Sequence, residues 1–274
     1  MTNNILTIQT IQIGAIKTLM TALKDILLET NITITKTGIK IINMDKSHTI
    51  LVHLNLYACN FETYDCKMDK IILGVNMMHL FKLINTIDNN DTLTIYIEEE
   101  DYNDGIVKYL GLKFENGEIK QQKIQKLRLI EPDNEELEIP DVKFSSVLTL
   151  PSCDFQKIVR DLACISDKIE IRSVTTNEGV ELIFKCSGSF AQAEIRRSEN
   201  EGTMNIINNN NNNNNNNKII QGEYSLKNLS YFIKCTNLCN DIEIYLENNL
   251  PFVVKYHVAS LGEIKLCLAP IPSN

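Results

Sequence analysis

Seven basic residues occur at helical spacings and could contact phosphate groups. Lys17 and Lys24 are seven residues apart, two turns of an α-helix, and Lys227 and Lys234 repeat that spacing. Lysine and arginine side chains on a helix face can contact phosphates without reading bases. These residues therefore predict loose, sequence-independent contact with the backbone of duplex DNA, and the full set is Lys17, Lys24, Lys82, Lys157, Arg160, Lys227 and Lys234.

The overall charge limits this interpretation to a local surface. The 274 residues carry a formal net charge of −8 with a pI near 5.2, which argues against a protein that coats nucleic acid with its whole surface. No aromatic residues punctuate the basic helix faces, so stacking on single-stranded bases is not expected. The alternative is that these lysines are ordinary surface residues of amphipathic helices.

Catalytic and metal-binding patterns are missing from the sequence. There is no nucleotide-binding glycine loop, HExxH or GxSxG motif, and the acidic run Glu98–Asp101 is typical of solvated loop charge. Eight cysteines and four histidines show no zinc-ligand spacing, and Cys235 with Cys239 is a lone CxxxC pair. We therefore predict reduced core thiols, no metal, no cofactor and no enzymatic activity.

Four amphipathic segments must position the basic residues. The clearest is Ile16–Leu28, whose apolar residues recur at steps of three and four and so predict a helix with one buried face. Similar stripes follow at 77–88, 155–162 and 226–233. Alternating strands and hairpin turns come after each one, which indicates an α+β protein.

The chain reads as two copies of one domain. Ala22–Ile26 resembles Ile158–Leu162, and Gly38–Ile41 resembles Gly179–Leu182. The segment at 90–98 likewise resembles that at 240–247. We predict an N-terminal domain over residues 1–128 and a C-terminal domain over residues 142–274.

Two segments fall outside the repeated pattern. Residues 129–141 are acidic, contain Pro132 and Pro140, and predict an extended linker. Leu137 and Ile139 interrupt this linker and should pack on something. Ten consecutive asparagines, 208–217, predict a disordered inserted loop over residues 205–218.

Over its full length the sequence resembles the eukaryotic-type DNA sliding clamps, the proliferating cell nuclear antigen family. Six short motifs occur in the family's order, and the asparagine insertion is the one large difference in length. The motifs are Ala22–Asp25, Met44–His48, Phe61–Cys66, Leu73–Asn76, Arg160–Leu162 and Leu268–Pro270.

The resemblance implies a clamp fold with two tandem pseudo-symmetric domains in a homotrimeric ring. Helices would line a channel for duplex DNA, with antiparallel sheets outside, and the seven basic residues would line that channel. Subunits would pair outer strands near Lys120–Gln125 and Ala193–Ser198. The family has a further lysine where this chain has Asn85, so the basic lining is thinner here.

The resemblance also implies partners. These are DNA polymerase, a clamp loader and other proteins whose glutamine-aromatic peptides dock under the linker, with no membrane involved. Cys267 departs from the family, which usually has a tyrosine there. The pocket residues carried over by motif are Met44, His48, Leu51, Leu137, Ile139, Pro251, Cys267, Leu268, Ala269 and Pro270.

Two alternatives stay open at this point. One is a subunit of a heterotrimeric or checkpoint-type ring, and the other, of a different class, is an enzyme of DNA metabolism. The sequence lacks a signal peptide, the family's ubiquitin-acceptor lysine in the loop 175–177, and an acidic tail after Asn274. We therefore expect an intracellular protein, in the nucleus or at a viral replication site, from a large DNA virus or an A+T-rich protist.

Overall fold

The protein divides into two compact units. In a computed structural model, the described residues are 3–133, 137, 139–140, 142–176, 179–199, 204–209 and 218–272. The first unit comprises Met1–Lys46, Val52–Glu138 and His257–Ile264, and the second comprises Ser47–Leu51, Ile139–Tyr256 and Lys265–Asn274.

Strands predominate, with a few short helices. The α-helices are α1 (Ile13–Ile26), α2 (Met77–Ile84), α3 (Ser152–Ala163) and α4 (Leu226–Phe232), and 3₁₀ turns occur at Ala58–Asn60, Glu99–Asp101 and Ile233–Leu238. The strands in chain order are β1 (Asn4–Thr10), β2 (Glu29–Thr35), β3 (Gly38–Met44), β4 (Ile50–Tyr57), β5 (Thr63–Cys66), β6 (Lys70–Asn76), β7 (Thr92–Glu98), β8 (Tyr102–Asn103), β9 (Ile106–Val107), β10 (Tyr109–Asn116), β11 (Gln121–Arg128), β12 (Ser146–Pro151), β13 (Lys168–Thr176), β14 (Gly179–Ser187), β15 (Gln192–Ser198), β16 (Asn205–Asn209), β17 (Lys218–Ser225), β18 (Asp241–Leu246), β19 (Phe252–Val258) and β20 (Gly262–Leu268).

The first unit contains a five-stranded antiparallel sheet in the order β11-β10-β7-β1-β5. A second antiparallel group has the order β3-β2-β6. Alternation along β1 and β2 buries one side of each strand, as the period of two requires. Helices α1 and α2 contact each other, and Leu19 and Leu23 of α1 are fully buried.

The second unit repeats this connectivity. Strands β16-β12-β18-β19 correspond to β5-β1-β7-β10, and β14-β13-β17 corresponds to β3-β2-β6. The repeated hairpins share one detail of the backbone, because Gly38 has φ +151° and Gly179 has φ +134°. Residues that carry a Cβ rarely adopt these backbone angles, which explains why glycine occupies both positions. The two-copy architecture predicted from the sequence is thus present in the fold.

Helix boundaries differ from the sequence pattern by a few residues. The first helix was expected over Ile16–Leu28 but runs from Ile13 to Ile26, because Ile13 is itself buried and Leu27 has already turned to extended angles. Two helices begin at side-chain caps, where Asn76 accepts from the backbone N–H of His79 and Ser225 accepts from that of Asn228.

The predicted loop at 205–218 is wrong at its first end. Asn205–Asn209 form β16, which pairs antiparallel with β12 at the edge of its sheet. Met204, at the start of this segment, is buried and anchors it, whereas Asn205 is exposed. Strand β17 begins at Lys218, and residues 210–217 lie outside the described residues.

The start of the linker is attached to the sheet of the first unit. The backbone N–H of Ile130 donates to Gly74 O at 3.0 Å, at the free edge of β6. The Asn31 side chain then donates to Asp133 O at 2.6 Å and accepts from Asp133 N–H at 3.1 Å. This amide imitates a pair of strand hydrogen bonds, so residues 130–133 lie fixed on the sheet.

We predict that Gly74→Ala destabilises the protein. A Cβ at this position would lie 2.4 Å from Ile130 O, so either the linker start leaves β6 or the strand shifts. Overpacking of this kind costs about 1–3 kcal/mol, which urea unfolding can measure. Gly14→Ala is the control, because nothing lies within 4 Å of a Cβ there and alanine favours the helix. Equal stability of the two variants would contradict the prediction.

Candidate nucleic-acid and partner-peptide sites

The predicted basic residues lie on the helices of both units. In the first unit, α1 carries Lys17 and Lys24 and the contacting helix α2 carries Lys82. In the second unit, α3 carries Lys157 and Arg160. That helix contacts α4, which carries Lys227, and the 3₁₀ turn that carries Lys234. The structure therefore groups three of the seven cations in one unit and four in the other.

Burial of the apolar stripes turns most of these cations to solvent. Phe155 and Val159 of α3 are fully buried, whereas Lys157 and Arg160 are exposed on its other side. Lys82, Lys227 and Lys234 are also exposed, and Lys17 is half-buried. The Lys234 ammonium lies 5.4 Å from the centroid of the Tyr231 ring. Five of the seven cations are therefore exposed, and their contact with DNA stays a prediction.

Lys24 differs from the other cations. Its Nζ lies 3.0 Å from Asp25 Oδ1 and 4.7 Å from the centroid of the Phe81 ring on α2. The side chain is only 18% exposed. Sequence spacing does not predict this contact with Phe81, because a contact between two helices leaves no periodic signal within either one. Alignment of α2 with α4 at their N-caps does mark the position, because Phe81 and Ser230 both lie five residues after the N-cap. An aromatic residue in one repeat thus corresponds to a small polar residue in the other.

The residues of the predicted peptide pocket belong to both units. Met44, which is half-buried, and Leu137 are in the first unit. Leu137 lines a groove of about 620 Å³ together with Ile42, Ile72 and Ile106. Leu137 therefore borders the same groove as Ile42 of β3 and Ile72 of β6.

The other pocket residues belong to the second unit. His48 and Pro251 are exposed, and Ile139 is 39% exposed. Leu51, Cys267, Ala269 and Pro270 are half-buried. Leu268 is only 1% exposed, so its side chain is part of the core and cannot line an open pocket.

Hydrogen bonds within the second unit hold the C-terminal end of the chain in place. The backbone N–H of Ala269 donates to Thr49 O at 2.9 Å, and that of Ile271 donates to Glu223 O at 2.8 Å. Thr49 Oγ1 also accepts from the Asn228 side chain at 3.3 Å. These bonds place the Ala269 backbone beside the segment 47–51, which contains His48 and Leu51.

Cys267 has an unreactive environment. Burial raises the pKa of its thiol from 9.0 to about 11, and Lys265 lowers it to a smaller extent. A pKa of about 11 keeps this thiol protonated at physiological pH, so the side chain is a small neutral group. Its reactivity is low because the thiolate is the nucleophilic form. The position where the related family usually has tyrosine is therefore filled here by a compact side chain.

Within the described parts of the chain, no group of three or more histidine, cysteine, aspartate or glutamate side chains could hold a metal ion. Among the same residues, no helix is long and apolar enough to cross a membrane.

Comparisons with known proteins identify the family. The family model described as "Proliferating cell nuclear antigen, N-terminal domain" matches residues 5–136, and "Proliferating cell nuclear antigen, C-terminal domain" matches residues 138–271. The chain is 30% identical over 268 residues to "Probable DNA polymerase sliding clamp 1" of Paramecium bursaria Chlorella virus 1, covering 97% of each protein. It is also 30% identical over 237 residues to "Probable DNA polymerase sliding clamp" of Acanthamoeba polyphaga mimivirus, covering 86% of this chain and 48% of that protein. The chain therefore belongs to the proliferating cell nuclear antigen family and has its two-domain, mostly antiparallel clamp fold.

Proposed function

We propose that this protein is a sliding clamp, a DNA polymerase processivity factor that encircles duplex DNA. The observation that carries the proposal is the set of exposed cations on α2, α3, α4 and the adjoining 3₁₀ turn in an otherwise acidic protein of the clamp family. The names of the two viral relatives support it. These cations would contact phosphates only, so the clamp could move along any sequence.

We further propose that three copies close into a ring through two edge strands. Strand β11 is one edge of the five-stranded sheet, and β15 is one edge of the sheet β15-β14-β13-β17. An edge strand presents unpaired backbone N–H and C=O groups that another chain can pair with. Because the two edges differ, their pairing is head-to-tail, which generates a closed ring when the rotation permits.

Exposed apolar side chains accompany both edges. Ile124 on β11 is 57% exposed, and Phe190, just before β15, is 75% exposed. Both side chains would lose water contact on pairing, which favours association. Lys126, also on β11, is already bound to Glu98 and Asp101 of its own unit, and these hydrogen bonds raise its pKa. The apolar residues therefore provide the better anchor for a second copy.

The peptide pocket remains part of the proposal with one change. Residues His48, Leu51, Ile139, Pro251, Cys267, Ala269 and Pro270 of the second unit would contact a partner peptide, and Met44 and Leu137 stay predicted members. Leu268 leaves the set because it is buried. The partners would be a DNA polymerase, a clamp loader and similar peptide-bearing proteins at a nuclear or viral site of replication.

The DNA proposal is tested with charge reversal on α3. We expect Lys157→Glu combined with Arg160→Glu to reduce stimulation of the cognate polymerase on primed circular DNA severalfold, because two phosphate contacts per subunit become repulsive. The variant should keep its thermal stability, since both side chains are exposed. Lys67→Glu with Lys108→Glu, two exposed residues that lie outside the four helices, is the matched charge control. Unchanged stimulation in the helix variant would refute the assignment.

The ring proposal predicts that Ile124→Asp shifts the protein from trimer toward monomer. A carboxylate at this edge must be desolvated on pairing, which opposes association. Sedimentation velocity at micromolar concentration measures the result. Ile106→Asp is the matched control because Ile106 is 56% exposed but lies on β9, which is neither of the two edge strands. A parent protein that sediments as a monomer would rule out the homotrimer.

The Cys267 environment predicts selective protection from alkylation. At pH 8 we expect iodoacetamide to modify the exposed Cys59, Cys153 and Cys164 at least tenfold faster than Cys267, as measured by mass spectrometry. Because the pKa of this thiol is higher in the folded protein than in the unfolded chain, the unfolded thiol ionises first as the pH rises. Its contribution to the free energy of unfolding is therefore complete below pH 9 and declines as the pH approaches 11. Urea-unfolded protein is the control, in which all thiols should react alike. Rapid modification of Cys267 in the folded protein would contradict its burial.

A further inference from the structure

We propose that Phe81 withdraws Lys24 from DNA, so that the two units of the clamp hold the duplex unequally. This inference rests on the proposed function. It concerns one aromatic side chain that sets which of the helix cations reach phosphate. The observations behind it are the position of the Lys24 ammonium and a comparison between the two repeats of the same chain.

The first observation is the position of the Lys24 ammonium. Its ammonium is 3.0 Å from Asp25 Oδ1 and 4.7 Å from the Phe81 ring centroid, within the range of a cation–π contact. The Lys24 side chain is 18% exposed and that of Asp25 is 23% exposed. A phosphate contact would require Lys24 to leave both the ring and the carboxylate. Both contacts are stronger at this partly buried site than they would be in bulk water.

The second observation is the corresponding place in the second unit. Arg160-Asp161 on α3 occupies the repeat position of Lys24-Asp25 on α1, and both of its side chains are exposed. When α2 and α4 are aligned at their N-cap residues, Asn76 and Ser225, Ser230 is the residue that corresponds to Phe81.

Ser230 cannot act as Phe81 does. Its hydroxyl donates to Leu226 O at 2.9 Å within α4, and it has no ring for a cation to lie over. The same basic-acidic pair therefore folds against a neighbouring helix in the first unit and projects into solvent in the second. Lysine and arginine differ in shape, but both carry a positive charge that could lie over an aromatic ring. We therefore attribute the difference to the residue on the neighbouring helix.

The consequence is an unequal distribution of available charge. In the first unit, Lys82 is exposed and Lys17 half-buried, with Lys24 held against α2. In the second unit, Lys157, Arg160, Lys227 and Lys234 are all exposed. The second unit would therefore supply most of the phosphate contacts, and Phe81 is a positioning residue that acts through Lys24.

The first test needs no DNA. Competitive labelling of lysine amines with an acetylating reagent, read by mass spectrometry, should modify Lys24 several times more slowly than Lys82. Phe81→Ser, which installs the residue of the second repeat, should raise the Lys24 rate severalfold and leave the Lys157 rate unchanged. Equal rates for Lys24 in parent and variant would overturn the proposal. If Phe81→Ser does not fold, Phe81→Leu keeps the apolar volume, removes the ring and carries the same expectation.

The second test measures the salt dependence of binding to a labelled linear duplex by fluorescence anisotropy. The slope of log K against log salt is negative, and each lost phosphate contact makes it less steep by about 0.9. Lys24→Gln should leave the slope of the parent unchanged, but in the Phe81→Ser background should make it less steep by about 0.9 for each subunit that contacts the duplex. Arg160→Gln is the matched control and should make the slope less steep in both backgrounds.

The outcomes separate this proposal from the proposed function. If Lys24→Gln makes the slope of the parent less steep by as much as Arg160→Gln does, Phe81 does not withdraw Lys24 and the proposal fails. If the parent does not stimulate its polymerase on primed circular DNA, the proposed function fails, and the labelling experiment alone then decides whether Phe81 holds Lys24.

Discussion

Burial of the helical apolar stripes is the constraint that decides where every basic side chain of the helices points. Leu19 and Leu23 on α1, and Phe155 and Val159 on α3, are fully buried. Burying one such side chain contributes about 1.5–3 kcal/mol, more than an exposed cation gains from any single contact. The core therefore fixes the rotation of each helix about its axis. The directions of the charged side chains follow from that rotation, and a contact with a neighbouring side chain can redirect one of them, as Phe81 and Asp25 do with Lys24.

Much of the fold follows from patterns that are local in the sequence. Helical stripes, alternating strands and the two positive-φ glycines at 38 and 179 each depend on residues close together in the chain. Internal repetition then supplied the two-domain architecture. The exact start of α1 at Ile13 could not be predicted this way, and neither could the strand at Asn205–Asn209, because each depends on burial against residues distant in sequence.

The candidate site shows the same division between local and tertiary information. Sequence spacing identified the cations that leave the core side of their helices, including Lys157 and Arg160. It could not show that Lys24 lies over Phe81, because the two are joined only by the packing of α1 on α2. It also assigned Leu268 to a pocket, although the alternation of β20 places that side chain in the core.

The attachment of the linker start has a thermodynamic consequence for any protein that docks nearby. Ile130 and Asp133 are already held by Gly74 and the Asn31 amide. Fixing the backbone of a free residue costs about 1–2 kcal/mol of conformational entropy. For this part of the linker that cost is met during folding, so a ligand does not have to meet it on binding. Two hydrogen bonds to the Asn31 side chain, together with the close approach that Gly74 permits, thus make the beginning of this connecting segment a preorganised binding surface.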